Sequence, residues 1–239
     1  MSGRNSVKAA AAVALSGAML CGVGAVPAAA VESRPAGPAQ TVEPQAVAGA
    51  PFKDVAWNNK FAKEIVWVAQ SGISTGWPDG TFRPLAPVSR EAMAAFMHRL
   101  DALKGVKDDL PSSVPMFSDV SGTKFEGEIG WLLASGITTG YPDRTFRPYA
   151  TVNRDAMAAY LYRMAGYPSF TPPKTSPFTD VSTDNQFYRE IAWLASTGIS
   201  TGWEQPNGTR KFAPVEPVAR DAMAAFMYRF HEKGYGPRQ

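Results

Sequence analysis

The sequence predicts an all-α protein of three helix-loop-helix repeats joined by turn-rich loops. Three observations carry that prediction. Segments opening at Phe52, Phe117 and Phe178 resemble one another with a period of roughly 60 to 65 residues. Inside each copy, apolar residues recur at the spacing of one helical face rather than alternating. Between the two periodic stretches of each copy lies a run of Gly, Pro, Asp and Thr that belongs to turns.

The chain begins with what reads as a secretion signal, residues 1–30. Arg4 and Lys8 give a basic start, Ala9 to Val26 is small and apolar, and Ala28, Ala29 and Ala30 supply a cleavage pattern near Ala30. The alternative, a buried or membrane-spanning helix, fits less well. The run is rich in Gly and Ala and is followed by Pro and polar residues without a basic flank. The one cysteine, Cys21, follows the bulky Leu20, which argues against a lipid anchor. Without the leader the chain has no thiol for a disulfide framework, a nucleophile or a thiolate metal site. Residues 31–50 are Pro, Ala, Gly and Gln with almost no large apolar residue, the composition of a flexible linker.

Three repeats follow, over residues 51–110, 111–172 and 173–239. They open with Phe-Lys-Asp-Val, Phe-Ser-Asp-Val and Phe-Thr-Asp-Val, at Phe52, Phe117 and Phe178. Phe61, Phe125 and Phe187 come next, then Ile65, Ile129 and Ile191, and Trp67, Trp131 and Trp193. Phe61, Ile65, Val68 and Ala69 share one helical face, and Gly72, Gly136 and Gly198 are natural left-handed terminators, so each copy starts with a helix of about three turns. The tryptophans among these residues read mainly as core.

The loops read Gly-Ile-Ser-Thr-Gly-Trp-Pro-Asp-Gly-Thr-Phe-Arg-Pro from Gly72 and Gly-Ile-Thr-Thr-Gly-Tyr-Pro-Asp-Arg-Thr-Phe-Arg-Pro from Gly136. The third, from Gly202 to Pro214, is longer than the matching stretches Gly76 to Pro84 and Gly140 to Pro148, and has no Pro-Asp pair. Second helices begin around Ser89, Asn153 and Ala219. Met93, Phe96, Met97 and Leu100 form a single apolar stripe, matched by Met157, Tyr160, Leu161 and Met164, and such a stripe reads as core. Ser89 and Asn153 are placed to cap the first turn, which Ala219 cannot do. Glu91, Asp155 and Asp221 favour the helix dipole. One such unit of about 50 residues buries too little surface alone, so the three are expected to pack together, with the Pro-rich joints 108–115 and 167–177 as spacers.

Charge excludes several functions. Removing the leader takes two of the 24 basic residues and none of the 21 acidic ones, leaving the chain close to neutral. No Lys/Arg stripe for nucleic acid or polybasic membrane patch is present. The two histidines, His98 and His231, have no metal-ligand spacing, and the chain carries no nucleophile elbow, phosphate loop or dinucleotide fingerprint. Paired carboxylates remain conceivable, but the repeated Asp residues already have structural uses. The expectation is a protein with no enzymatic activity, cofactor or metal.

The ordered pieces just quoted resemble the S-layer homology family: a Phe-x-Asp-Val opening, a helix with Trp or Ile, Gly-Ile-x-x-Gly, Asp-Gly-Thr-Phe-x-Pro, and a Thr-Arg-Ala-Glu helix start. The resemblance covers nearly all of the chain beyond the leader. Here the helix starts read Ser-Arg-Glu-Ala, Asn-Arg-Asp-Ala and Ala-Arg-Asp-Ala, with the acid one position forward. The resemblance implies a pseudo-threefold bundle with grooves between neighbouring repeats. It further implies binding of an anionic secondary cell-wall polysaccharide, of a kind that often carries a pyruvate ketal (pyruvylated), through Arg90, Arg154 and Arg220. The localisation implied is secreted, at the cell wall, with peptidoglycan-linked glycan as partner and no membrane contact after signal cleavage.

Physical reasoning bears on the same arginines. A cation in the first turn of a helix opposes the helix dipole by about 0.3–1 kcal/mol, so a recurring one asks for a partner. A ligand carboxylate would serve, taking a bidentate pair from the guanidinium and accepting from the free amides of the helix start. So would an internal ion pair with Glu91 or with Asp54, Asp119 or Asp180. Those three aspartates either position the arginines or cap the stretch that follows. Trp77, Tyr141 and Trp203 are placed to lie against a sugar ring or to fill the core. Gly76, Gly140 and Gly202 allow a ligand to approach the backbone or simply supply positive φ. An alternative function is a cell-surface scaffold or self-assembly protein that binds a protein partner.

Overall fold

Six helices and one short hairpin organise the described residues, 51–105, 110–111 and 114–235 of a computed structural model. The expected signal and linker lie outside them. Each repeat supplies a shorter first helix and a second helix: α1 (Ala62–Gln70) and α2 (Arg90–Ala102), α3 (Glu126–Ala134) and α4 (Arg154–Met164), α5 (Tyr188–Thr197) and α6 (Arg220–Glu232).

The apolar spacing explains which faces are buried. On the first helices, Ile65 and Val68, Ile129 and Leu132, and Ile191 and Leu194 have no exposure. Gly72, Gly136 and Gly198, with φ of 75°, 68° and 74°, turn the chain left-handed at the helix end, and Ile73, Ile137 and Ile199 drop into the core behind them. The second helices bury the whole predicted stripe, Met93, Phe96, Met97 and Leu100, with Met157, Tyr160, Leu161 and Met164 matching it. Each large apolar side chain withdrawn in this way contributes about 1.5–3 kcal/mol. Trp131 and Trp193 are buried as expected, whereas Trp67 is partly exposed, packed against Tyr228 and His231.

The repeats interlock in cyclic order. Helix α3 packs on α2, α5 on α4, and α1 on α6, so every first helix leans on the second helix of the preceding repeat and the last repeat leads back to the first. The same order runs through the backbone. The Val88 amide donates to the Val218 carbonyl (2.9 Å), Val218 to Val152 (2.8 Å), and Val152 to Val88 (3.0 Å). This closed circuit of three hydrogen bonds joins buried valines immediately before the second helices.

Two expectations are corrected. The all-α reading misses a two-stranded antiparallel hairpin, β1 (Trp203–Glu204) with β2 (Arg210–Lys211), in the third loop. Its extra length lets the chain double back through Asn207 and Gly208, where Asn207 Oδ1 accepts from the Thr209 amide and hydroxyl. The rest of the described chain remains mainly helical. Second, Ser89 caps α2 by accepting from the Ala92 amide at 3.3 Å, but the Asn153 side chain makes no such bond. The first amides of α4 are already held by carbonyls of the third repeat, as the site geometry shows.

Candidate functional site

The site begins with the opening aspartates. Asp54 accepts the Phe82 and Arg83 amides, both at 2.7 Å. Asp119 accepts those of Phe146 and Arg147, and Asp180 those of Phe212 and Ala213, all at 2.8 Å. The second residue of each pair is held left-handed, with φ of 57°, 57° and 54°, a conformation that non-glycine residues adopt at a cost. Two charge-assisted hydrogen bonds hold it there. The clamped phenylalanines are fully buried against the rings of Phe52, Phe117 and Phe178. Their carbonyls are thereby fixed in place.

Each carbonyl receives an arginine from the preceding repeat in the cycle. Arg90 Nε donates to Phe146 O at 2.6 Å, Arg154 Nε to Phe212 O at 2.7 Å, and Arg220 Nε to Phe82 O at 2.7 Å. All three arginines are buried, 5–7% exposed. Arg220 also donates from Nη2 to Ser74 Oγ at 3.1 Å. The guanidinium carbons lie over aromatic rings: Arg220 is 4.1 Å from the Trp77 centroid, Arg90 5.1 Å from Tyr141, and Arg154 4.0 Å from Trp203.

These bonds settle two alternatives left open by the sequence. The aspartates neither pair with Arg90, Arg154 and Arg220 nor stand apart from them; they orient the peptide that each arginine grips. Among the described residues, ion pairs form instead between Arg83 and Asp79 and between Arg147 and Asp143, each 3.0 Å and on the surface. The helix-start amides are not free to receive a ligand, which corrects the expectation of a shared anion site there. Arg90 and Glu91 donate theirs to Ala150 O and Pro148 O, Arg154 and Asp155 to Glu216 O and Pro214 O, and Arg220 and Asp221 to Ala86 O and Pro84 O.

Two of the buried arginines nonetheless keep their charge. Burial pulls the Arg154 and Arg220 guanidiniums down to about 10, against the pull of nearby acids that include Asp180 and Asp54, so both remain charged at neutral pH. Burial pushes the carboxyls of Glu91, Asp155 and Asp221 above the usual carboxylate range.

Grooves open beside two of these arginines. The Arg90 groove, about 350 Å³, is walled by Thr138, Gly140, Tyr141, Asp155, Tyr160 and Arg163, with Gln186 contributed by the third repeat. The Arg154 groove, about 90 Å³, holds Gly202, Trp203, Phe226 and Arg229, with Lys60 from the first repeat. Around Arg220, Trp77, Phe96 and Ser74 take the corresponding places, and Lys124 acts on Glu91. Two further sets of residues stand at these sites without a motif to mark them: the Arg99, Arg163 and Arg229 series, and Lys60, Lys124 and Gln186. The first recurs at one offset in each second helix and donates to Ile73, Ile137 and Ile199 carbonyls. The second always precedes Phe61, Phe125 or Phe187, so aligning the copies position by position would have found both.

The other expected residues divide between fold and groove. Gly76, Gly140 and Gly202 have φ near 68°, and a Cβ there would run into Phe52, Phe117 or Phe178 and a loop carbonyl. The protein's own packing therefore requires glycine at all three. Trp77 and Tyr141 are partly buried, each with a second guanidinium over the ring, Arg83 at 4.5 Å and Arg147 at 3.9 Å. Trp203 is the most open of the three, 39% exposed, because Ala213 stands where the other loops carry that arginine.

Comparison with known proteins finds the S-layer homology domain matched three times, over residues 51–94, 117–158 and 177–224. A cellulosome-anchoring protein of Acetivibrio thermocellus is 29% identical over 141 residues, 59% of this chain and 31% of that protein. An S-layer protein of Bacillus thuringiensis subsp. finitimus is 28% identical over 192 residues, 79% of this chain and 22% of that one. An endoglucanase of a Bacillus species is 35% identical over 117 residues, 48% of this chain but 12% of the enzyme. The chain spans about a third or less of the length of these relatives.

Proposed function

The chain belongs to the S-layer homology domain family, and from that premise we propose that it is a non-catalytic module attaching to the bacterial cell wall. The ligand is an anionic secondary cell-wall polysaccharide linked to peptidoglycan, with a pyruvate ketal as the anionic group, and the location is the cell surface after secretion. The repeats are read as related by an approximate threefold axis through the valine circuit, with repeat boundaries at 51–110, 111–172 and 173–239.

The observation that carries this reading is the recurring Arg-carbonyl contact. In each groove the backbone carbonyl takes Nε, and the guanidinium edge that remains is held over an aromatic ring. A carboxylate can take hydrogen bonds from that edge while a sugar ring lies beside the aromatic. Gly76, Gly140 and Gly202 shape the wall, and Asp54, Asp119 and Asp180 set the carbonyl. Three weak sites on one rigid body add avidity. A similarity confined to 12% of an endoglucanase supports a shared attachment module rather than a shared catalytic centre.

A second reading, a scaffold binding a protein partner or further copies of itself, is favoured by one observation. Leu85, Tyr149 and Val215 occupy matching positions in the three repeats and are 82%, 73% and 71% exposed, an arrangement suited to a protein surface.

Co-sedimentation with peptidoglycan sacculi distinguishes the two. Pelleting with untreated sacculi and not with acid-stripped sacculi supports glycan attachment. Failure to pellet with either, together with concentration-dependent oligomers in light scattering, supports the scaffold.

A further inference from the structure

The surroundings of the three arginines do not carry the same chemistry. Over Phe96 and Phe226 lie Arg220 and Arg154, but the residue under Arg90 is Tyr160, with its ring centroid 6.0 Å from the guanidinium carbon. Tyr160 is 4% exposed, and its hydroxyl lies at the base of the groove beside that of Thr138, with no hydrogen bond of good geometry to hold it. A phenol enclosed without a well-formed hydrogen bond is costly in the free protein, and a Phe at the same place avoids that cost. Thr138 stands beside it, its own hydroxyl accepting the Gly140 amide at 3.2 Å.

The neighbouring repeat adds a second difference. Lys60 lines the Arg154 groove and Lys124 acts on Glu91 beside Arg220, whereas the matching residue at the Arg90 groove is the neutral Gln186. The volumes differ in the same sense, about 350 Å³ against 90 Å³ for the Arg154 groove. The Arg90 groove thus has one cation fewer, two more neutral hydrogen-bonding groups, and more room.

Resting on the glycan-attachment reading, we propose that the Arg90 groove is a distinct subsite in which Tyr160 and Gln186 read a neutral, hydroxyl- or amide-bearing part of the polysaccharide, while the lysine-bearing grooves of Arg154 and Arg220 read its anionic groups. Tyr160 is the specificity-determining residue. Bonds between neutral groups are little screened by salt, and those to exposed lysines are screened strongly.

The test measures binding to untreated sacculi at about 0.02 M and about 0.2 M salt, roughly spanning the change from weak to strong screening. Tyr160→Phe should weaken binding about fivefold at both salts, the effect of losing one hydrogen bond, with melting temperature unchanged or raised. Lys60→Gln with Lys124→Gln should weaken binding at low salt only. The inference is overturned if Tyr160→Phe binds like the parent, if its defect vanishes at high salt, or if it binds weakly and also melts lower, which would make the hydroxyl structural. Absence of binding by the parent protein would instead remove the attachment reading, and this inference with it.

Discussion

Arg220, in the last repeat, donates its Nε hydrogen to the carbonyl of Phe82 in the first, 2.7 Å away and 138 residues back along the chain. That bond joins the ends of the repeat array, and the same contact joins the first repeat to the second and the second to the third. The arginine proposed to meet the glycan is therefore also a cross-repeat fastener. Replacing Arg220 with Lys keeps the charge but removes Nε and leaves a buried carbonyl without its donor, a change costing about 1–3 kcal/mol. Thermal unfolding of Arg220→Lys should show the midpoint lowered by about 2–4 °C for each kcal/mol lost.

Asp54 and Arg220 grip the same residue from opposite sides, one at the Phe82 amide and the other at its carbonyl. Asp54→Ala leaves two amides unpaired beside a left-handed Arg83 and should cost more than Arg220→Lys. Because each substitution loosens what the other holds, the double variant should lose less than the sum. Urea unfolding of the two single variants and the double variant measures that coupling, expected at about 0.5–3 kcal/mol.

Two glycines with nearly the same φ should respond differently to alanine. Gly72, with φ of 75°, has open space around a Cβ, so Gly72→Ala should cost only the left-handed backbone penalty, about 1–2 kcal/mol. Gly140, with φ of 68°, faces the Phe117 ring and the Thr145 carbonyl, and Gly140→Ala should lose clearly more. Denaturant midpoints of the two variants make the comparison.

Glu91, Asp155 and Asp221 gain protons on folding, since burial raises their folded-state affinity above that of the unfolded chain. The folded protein therefore binds more protons over the window between the ordinary carboxylate range and the raised values, and their contribution to stability falls as pH rises through it. Asp221→Asn should remove part of that slope. As the pH drops through the same window the grooves lose negative charge, so sacculus binding should tighten. Unfolding and binding measured between about pH 4 and pH 7 test both statements.

The helices were legible because their apolar residues are spaced for one face and their ends carry Gly72, Gly136 and Gly198. Asp54, Arg90 and Gly76 were legible as recurring positions, but not their roles, because each role depends on a partner in another turn of the fold. Nothing local to Arg90 identifies Phe146 O as its acceptor, and nothing near Arg154 shows its amide is held by Glu216 O. The third-loop hairpin was missed because strands of two residues leave no periodic pattern. In the sequence Tyr160 is one member of an apolar stripe, and its ring does belong there. Only the packing of repeats puts its hydroxyl at the base of a groove.

The most direct test of the central claim follows the arginine side-chain NMR signals while polysaccharide released from purified walls is added. Direct glycan contact predicts that the guanidinium signals of Arg90, Arg154 and Arg220 shift together with ring signals of Trp77, Tyr141 and Trp203, while those of Leu85, Tyr149 and Val215 stay in place. Unmoved guanidinium signals under conditions where the polysaccharide binds would contradict it.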